Sequence, residues 1–178
     1  NWEEKIEKIC ETTVREDVRC LAGVPSWFLT VINKILEKTG KTNLHEVWPN
    51  LELFIHGGIS FTPYREQYRR LLPDPKMKYL ETYNASEGFF GLQDDPADPS
   101  MLLMLDYGVY YEFMPVSELG KAKPRTLLLE EVQPNVNYAL IISTTGGLWR
   151  YMIGDTITFT AVKPYKFKIT GRTKLFIN

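Results

Sequence analysis

Three glycine-containing segments of this 178-residue chain combine residue types that could bind a ligand: Tyr83–Gly88 (YNASEG), Leu148–Asp155 (LWRYMIGD) and Ile169–Arg172 (ITGR). Each places a glycine next to an ionisable or hydroxyl side chain at the end of an apolar, strand-like run. Glycine lets the backbone approach a ligand closely, and α/β proteins place their chemistry in loops at strand ends. Together the segments predict a ligand site assembled from the ends of strands.

The elements that must position these segments change character along the chain. In the first half helices and strands alternate, which favours parallel strand pairing. The apolar spacing and the turn residues predict a helix over Trp2–Leu21, a helix from an N-cap at Ser26 to Lys38 with Gly40 as its C-cap, a strand over Leu51–His56, a helix over Pro63–Leu71 and a strand over Lys78–Tyr83.

From about Met101 the pattern changes to short strands separated by turns, which favours an antiparallel, curled sheet. The predicted strands are Met101–Leu105, Val109–Met114, Leu127–Leu129, Tyr138–Ser143, Thr156–Ala161 and Lys166–Thr170. The predicted fold class is therefore α/β, with a helix–strand alternating, parallel-type sheet followed by a smaller antiparallel β lobe. We place an α/β subdomain at residues 1–100 and a mainly β subdomain at residues 101–178.

Composition indicates an ordinary soluble globular protein, with 44% hydrophobic and 24% charged residues. The net charge of −1 does not support a nucleic-acid partner, which usually meets a basic face. No apolar run approaches the ~20 residues needed to cross a bilayer, and the first residues do not resemble a signal peptide. We therefore expect neither a nucleic-acid nor a membrane partner.

The cysteines indicate a reducing compartment. Cys10 and Cys20 both fall in the first predicted helix, where they would lie about 15 Å apart, too far for a disulfide. We therefore expect reduced thiols and a cytoplasmic location. Together with His45 and His56, the two thiols do not form a metal-ligand pattern.

Two polar clusters have plain alternatives to a functional interpretation. The acidic residues of Asp94–Pro99 (DDPADP) suggest a metal site, but the two prolines favour a solvated turn. The arginines and tyrosines of Pro63–Leu72 suggest a nucleic-acid patch, but the net charge of −1 favours a solvated helix face.

In their order along the chain, the three glycine-containing segments resemble the nucleotide-binding motifs of acyl-adenylate-forming enzymes. More narrowly, Gly147–Tyr151 followed by Gly154-Asp155 resembles the Gretchen Hagen (auxin-responsive promoter) family of acyl acid amido synthetases. Tyr83–Glu87 resembles that family's second nucleotide motif, which usually reads Tyr-Ala-Ser-Ser-Glu. The similarity runs from about Val24 to the end, with departures at Asn84 and Ala85, and at Met152, where an Arg is frequent.

The resemblance implies part of the large N-terminal domain of an ATP-dependent acid–amino acid ligase. Such an enzyme activates a small carboxylic acid as acyl-AMP with ATP and Mg²⁺, and then transfers the acyl group to an amine. The chain contains neither a Ser/Thr/Gly-rich phosphate loop with a lysine nor a C-terminal lid domain, so we expect a central fragment that is inactive alone. An acyl-CoA ligase, an acyl-protein synthetase or a non-catalytic nucleotide-binding domain are the alternatives.

The resemblance also implies site roles, and each has an alternative. The nucleotide-binding residues would be Gly57, Gly58, Tyr83, Asn84, Ser86, Glu87, Asp155 and Arg172. The glycine pair would let adenine lie against bare backbone, with Tyr83 stacked on its other face. The alternatives are a plain strand-to-loop turn and a core tyrosine.

The remaining roles concern the phosphate and the ribose. The Ser86 hydroxyl would bind an α-phosphate oxygen and Glu87 would hold Mg²⁺, whereas the alternative for this pair is a helix N-cap. Asp155 would accept two hydrogen bonds from the ribose diol unless Gly154-Asp155 is a simple turn.

Glu87 and Arg172 are the predicted catalytic residues, since they would stabilise charge at phosphorus. Arg172 would bind ribose or phosphate oxygens, unless it is a surface arginine. Arg150 could serve the same anionic centre or pair with Glu87. His56 borders the predicted pocket and is interpreted as a hydrogen-bonded structural residue. Adenylation in any case needs no protein base, because the substrate carboxylate is already ionised near pH 7.

Overall fold

The computed structural model describes residues 1–173, and the chain divides into two compact units, Asn1–Thr82 and a second that begins at Tyr83. The sequence of Lys174–Asn178 predicts a continuing strand or a turn, but this segment lies outside the described residues. Within residues 1–173 no helix is long and apolar enough to span a bilayer. The subdomain boundary predicted between residues 100 and 101 stays a prediction.

The first unit alternates helices with parallel strands, as predicted. Its elements are α1 (Trp2–Thr13), β1 (Cys20–Gly23), α2 (Pro25–Thr39), β2 (Leu53–Gly57), α3 (Arg65–Leu71) and the start of β3 (Lys78–Ala85). The strands pair in the order β1-β2-β3, and both pairings are parallel.

The prediction that the first helix reaches Leu21 is wrong. α1 ends at Thr13, where the hydroxyls of Thr12 and Thr13 bond back to carbonyls one turn earlier, an arrangement that competes with helix continuation. Cys20 lies in β1 and pairs with β2, so the helical spacing between the two cysteines does not apply. A four-residue strand is too short to leave a periodic signal.

The ends of α2 follow from its terminal residues. Val24 is the N-cap and Pro25 occupies the first turn, where its missing N–H costs nothing, so the predicted N-cap at Ser26 is wrong by two positions. Gly40 is the C-cap with φ 66°, which confirms the predicted left-handed cap.

An aromatic cluster forms the core of the first unit. Phe54 of β2 is fully buried and stacks on Tyr68 of α3 with ring centroids 4.8 Å apart. The Tyr68 hydroxyl donates to the carbonyl of Pro25 at 2.8 Å. The prediction of Tyr68 on a solvated helix face is therefore wrong, and Tyr68 ties α3 to the beginning of α2.

The second unit is antiparallel, as predicted. Its further strands are β4 (Gly88–Leu92), β5 (Met101–Leu103), β6 (Val109–Pro115), β7 (Asn137–Thr144), β8 (Tyr151–Val162) and β9 (Tyr165–Arg172). They follow the order β4-β5-β9-β8-β7-β6, and the buried rings of Phe90, Phe113, Phe159 and Phe167 form the centre of the core. The α/β fold class, with parallel strands followed by antiparallel ones, is thus confirmed.

Three details of the second unit differ from the prediction. β4 was missed, and β8 begins at Tyr151 rather than Thr156. The predicted strand at Leu127–Leu129 is instead a single bridge from Leu127 to Phe113, followed by a short 3₁₀ helix. The apolar run there is too short to distinguish a bridge from a strand.

The acidic loop Asp94–Pro99 already has a cationic partner. The Lys166 ammonium lies 2.9 Å from Asp94 Oδ1 and 3.1 Å from Asp98 Oδ2. Among the residues that the structure describes, no group of three or more acidic, histidine or cysteine side chains could hold a metal ion. The geometry favours the turn over the metal site.

Candidate functional site

The backbone at Asp155 bulges out of a β-ladder. The pairing of β7 with β8 slips at this point, so that the three residues Ile153–Asp155 face the single residue Leu140. Gly154 adopts φ +98°, a conformation that glycine enters without steric cost. Bulges redirect side chains and are frequent beside active sites. Asp155 is therefore a bulge residue within a long strand, and the alternative of a simple turn is wrong.

Two side chains hold the carboxylate of Asp155, one at each oxygen. The Nε–H of Arg172 donates to Oδ1 at 2.9 Å, and the hydroxyl of Tyr83 donates to Oδ2 at 2.6 Å. Arg172 is the register partner of Asp155 across the β8–β9 ladder. The structure thus brings together three of the predicted residues, which come from β3, β8 and β9.

Tyr83 enters this cluster from the core. Its ring is 5% exposed and packs against Phe90 and Phe167, with centroids 5.1 and 6.2 Å away. Burial, followed by the hydrogen bond to Asp155, raises the pKa of the Tyr83 hydroxyl above its ordinary value. This burial leaves no open ring face for the predicted stacking on adenine, and the hydroxyl is the part of Tyr83 that reaches the site.

The segment after Tyr83 forms a hairpin turn. Ser86 and Glu87 connect β3 directly to β4, so the helix N-cap alternative is wrong. Asn84 and Ser86 are exposed and Glu87 is half-buried. The charge of Glu87 is the smallest of the contributions that raise the pKa of the Tyr83 hydroxyl.

The glycine pair at the end of β2 belongs to the first unit, where local packing already requires it. A Cβ on Gly57 would lie 2.4 Å from the carbonyl oxygen of Thr82, and Gly58 has φ +81°. Both positions therefore need glycine for backbone reasons alone. Their contact with adenine stays a prediction.

His56, just before this pair, is buried with its ring stacked on an aromatic side chain. The imidazole is 4% exposed and stacks on Phe61 at 4.2 Å between centroids, and its Nδ1 has no hydrogen-bond partner among residues 1–173. Burial, followed by the nearby charge of Arg65, lowers the pKa of His56 to about 4. The ring is thus neutral at pH 7, in keeping with a structural role.

Arg150 has a partner that the sequence did not suggest. Its Nε donates to Glu112 Oε2 at 2.9 Å, its Nη2 donates to Thr126 Oγ1 at 3.2 Å, and its backbone N–H donates to Ser143 Oγ at 2.9 Å. The alternative in which Arg150 pairs with Glu87 is therefore wrong. One signal for Glu112 was present, because a carboxylate inside the apolar run Val109–Met114 requires a partner when buried.

Comparison with known proteins decides the family. The model of the GH3 family N-terminal domain matches residues 1–77, and the model of the GH3 family central domain matches residues 102–172. The chain belongs to the GH3 family. The Gretchen Hagen resemblance is thus confirmed.

Curated GH3 relatives are amido synthetases. The chain is 34% identical over 125 residues to indole-3-acetic acid-amido synthetase GH3.8 of Oryza sativa subsp. indica, covering 64% of this chain and 20% of that protein. It is 27% identical over 175 residues to jasmonoyl–L-amino acid synthetase JAR4 of Nicotiana attenuata, covering 88% of this chain and 30% of that protein. The chain therefore spans less than a third of the length of either relative.

Solved structures show the same fold. The GH3.15 acyl acid amido synthetase superposes with a TM-score of 0.72 at 20% identity, covering 97% of this GH3 chain and 40% of that chain. A 2-hydroxyisobutyryl-CoA ligase in complex with 2-HIB-AMP and CoA superposes with a TM-score of 0.67 at 12% identity, covering 94% of this chain and 39% of that chain. The chain therefore shares the fold of these two ligases.

Proposed function

We propose that this GH3 chain supplies nucleotide-binding residues of an ATP-dependent acid–amino acid ligase. Such an enzyme joins a carboxylic acid to ATP as acyl-AMP, releases pyrophosphate, and lets an amine displace AMP to form an amide. The observation that carries the proposal is the carboxylate of Asp155, which Arg172 and Tyr83 hold on a strand bulge. The family membership indicates the amide-forming reaction class.

Asp155 is the proposed ribose acceptor. A carboxylate has about four acceptor positions, and Arg172 and Tyr83 occupy two of them. One position therefore remains on each oxygen, and a vicinal diol has two hydroxyl donors to fill them. The side chain is 17% exposed, so a diol can reach it.

Arg172 is the proposed anion-binding residue. Its guanidinium uses Nε for Asp155 and is 58% exposed, so its terminal amino groups can turn towards ribose or α-phosphate oxygens. A planar fork of donors suits such oxygens. Adenylation needs no protein base, because the attacking carboxylate is ionised near pH 7. The catalytic contribution of Arg172 would be to stabilise negative charge at phosphorus.

Glu87 is the proposed contact for Mg²⁺, with Asn84 and Ser86 as the proposed polar contacts beside it. Mg²⁺ is usually held by one or two carboxylates together with substrate phosphates, so the half-buried Glu87 fits an ion that arrives with the nucleotide. When bound, the ion would neutralise phosphate charge. Gly57 and Gly58 complete the proposal as the adenine-side backbone.

The substrates follow from the family rather than from a pocket. The named relatives act on indole-3-acetic acid and form jasmonoyl–amino acid conjugates, so we infer a small carboxylic acid and an amino acid as substrates. Cys10 and Cys20 are free thiols, and the proposed reaction consumes ATP. A cytoplasmic location is therefore part of the proposal.

Binding of AMP to the purified chain tests the ribose assignment. We expect Asp155→Asn to weaken AMP binding in isothermal titration by about ten- to a hundredfold, because hydrogen bonds to a charged acceptor are worth about 1.5–3 kcal/mol. Asp106→Asn is the matched control, since Asp106 is exposed in the same unit. The AMP affinity of this variant should equal that of the parent. Equal affinity of the parent and a folded Asp155→Asn variant would remove Asp155 from the site.

An acyl-CoA ligase is the second candidate, favoured by the shared fold of the CoA ligase structure. The test supplies a carboxylic acid, ATP and either an amino acid or coenzyme A to a protein of the relatives' length that contains these residues. An amide product supports the proposal, and a thioester overturns it. A protein that binds an acyl-AMP analogue without pyrophosphate exchange is a non-catalytic nucleotide-binding protein.

A further inference from the structure

We propose that Tyr83 is a positioning residue whose hydroxyl fixes the orientation of the Asp155 carboxylate for the ribose diol. The inference rests on the proposed function, because it assumes that Asp155 binds ribose. It departs from the stacking role predicted for Tyr83 from the sequence.

The first step is that Tyr83 is an immobile donor. Tyr83 is 5% exposed and its ring lies edge-on to Phe90 and Phe167. This packing fixes the position of the hydroxyl. The side chain of Arg172, the other partner of the carboxylate, is 58% exposed. Its guanidinium lies at the end of a long, flexible chain. Of the two groups that hold Asp155, Tyr83 is therefore the rigid one.

The second step is that Asp155 needs such an anchor. It lies at the end of the three bulged residues of β8, next to Gly154 with its positive φ, where the regular ladder does not set its direction. A bond from the Tyr83 hydroxyl at 2.6 Å falls in the short range typical of charge-assisted O–H···O⁻ bonds. With Arg172 on the other oxygen, it fixes rotation of the carboxylate about Cβ–Cγ.

The third step is that the hydroxyl keeps its proton. Burial and the Asp155 charge both raise the pKa of Tyr83, so the phenol donates throughout the neutral range. The Tyr83 hydroxyl occupies one acceptor position of Asp155 Oδ2, and the second position of that oxygen remains for another donor. Two oxygens with one fixed partner each then present a matched pair of acceptors to a vicinal diol.

Ribose selectivity is the measurement that separates positioning from general stability. We expect the parent chain to bind AMP more tightly than 2′,3′-dideoxy-AMP. Tyr83→Phe keeps the ring and removes the donor, so AMP affinity should fall by about tenfold while affinity for dideoxy-AMP stays nearly unchanged. The preference for AMP should therefore shrink.

Tyr111→Phe is the matched control for Tyr83→Phe. Tyr111 is also 5% exposed, in the same core, and its hydroxyl donates to the carbonyl of Met104 at 2.9 Å. Tyr111→Phe therefore removes a tyrosine hydroxyl from the same core, but this hydroxyl does not bond to Asp155. The Tyr111→Phe variant should therefore keep the parent's preference for AMP.

A thermodynamic cycle tests the bond without any nucleotide. In urea unfolding, Tyr83→Phe and Asp155→Asn should be coupled by about tenfold in the folding equilibrium constant, whereas Tyr111→Phe and Asp155→Asn should be additive. Additive effects for Tyr83 and Asp155 overturn the inference, whatever the nucleotide does.

The remaining outcomes separate the two proposals. If Tyr83→Phe retains the parent's preference for AMP, Tyr83 does not position Asp155, although the ribose contact stands. If the parent itself binds both nucleotides equally, or binds neither, the proposed ribose contact fails and the inference fails with it.

Discussion

Arg150 and Glu112 form an ion pair that joins the loop between β7 and β8 to β6, the strand on the other side of β7, with Nε 2.9 Å from Oε2. The two side chains differ in their surroundings, since Glu112 is 12% exposed and Arg150 is 64% exposed. Thr126 also donates to Glu112, at 2.9 Å. Arg150, which belongs to one of the three glycine-containing segments, therefore neutralises a nearly buried carboxylate.

Removing this arginine should destabilise the fold. Arg150→Ala leaves the charge of Glu112 without its cation, and we expect a loss of about 1–2 kcal/mol in the free energy of unfolding, measured by urea denaturation. Arg69→Ala is the control, because its pair with Glu66 is an exposed i,i+3 contact of the kind worth about 0–1 kcal/mol. Equal losses in the two variants would contradict the role assigned to Glu112.

The backbone of Arg150 adds a second comparison. Its φ of 45° is in the left-handed region, which costs alanine about 1–2 kcal/mol and glycine almost nothing. Arg150→Gly should therefore be more stable than Arg150→Ala, although both lose the ion pair.

Gly57→Ala should damage the first unit through packing. The added methyl group would lie 2.4 Å from the carbonyl oxygen of Thr82, and backbone on the neighbouring strand cannot yield as a side-chain tip can. We expect a loss of about 2–3 kcal/mol in urea unfolding. Gly40→Ala is the comparison, since its Cβ meets nothing within 4 Å and only the left-handed φ costs about 1 kcal/mol. A smaller loss of stability for Gly57→Ala than for Gly40→Ala would show that the end of β2 can accommodate the methyl group.

Acid should destabilise the first unit through His56. Burial, and less so the charge of Arg65, lowers the pKa of His56 from 6.5 to about 4. Between these values the unfolded chain binds a proton that the folded chain excludes, so stability falls as pH drops from about 6.5 towards 4. The full loss is up to about 3 kcal/mol.

His56→Phe isolates this contribution, because a phenyl ring can keep the stacking on Phe61 without titrating. The urea midpoint of the variant should fall less between pH 7 and pH 4.5 than that of the parent. Parallel declines in the two proteins would mean that titrating groups other than His56 account for the acid sensitivity.

The 178 residues expressed alone should not catalyse ATP–pyrophosphate exchange. The sequence contains no Ser/Thr/Gly-rich loop with a lysine to hold the leaving phosphates, and such contacts supply much of the stabilisation at phosphorus. Exchange by the purified chain that Asp155→Ala abolishes would contradict this expectation. Exchange that survives Asp155→Ala would indicate a contaminating enzyme.

The sequence by itself determined the features that short stretches of chain encode. Helix–strand alternation followed by short strands predicted parallel and then antiparallel pairing, and Gly40 marked the end of α2. The three glycine-containing segments were sufficient to identify the family. Each of these signals lies within a few residues, where spacing and backbone preference act directly.

The tertiary structure alone decided which side chains meet. Tyr83 and Asp155 are 72 positions apart. No local sequence pattern predicts that the hydroxyl of a buried tyrosine in β3 bonds to an aspartate on the bulge of β8. The same holds for Cys20, whose short strand exists because β2 offers it a ladder, and for Arg150, whose partner is Glu112 rather than Glu87. These outcomes depend on sheet order and register, which arise from packing across the whole unit rather than from neighbouring residues.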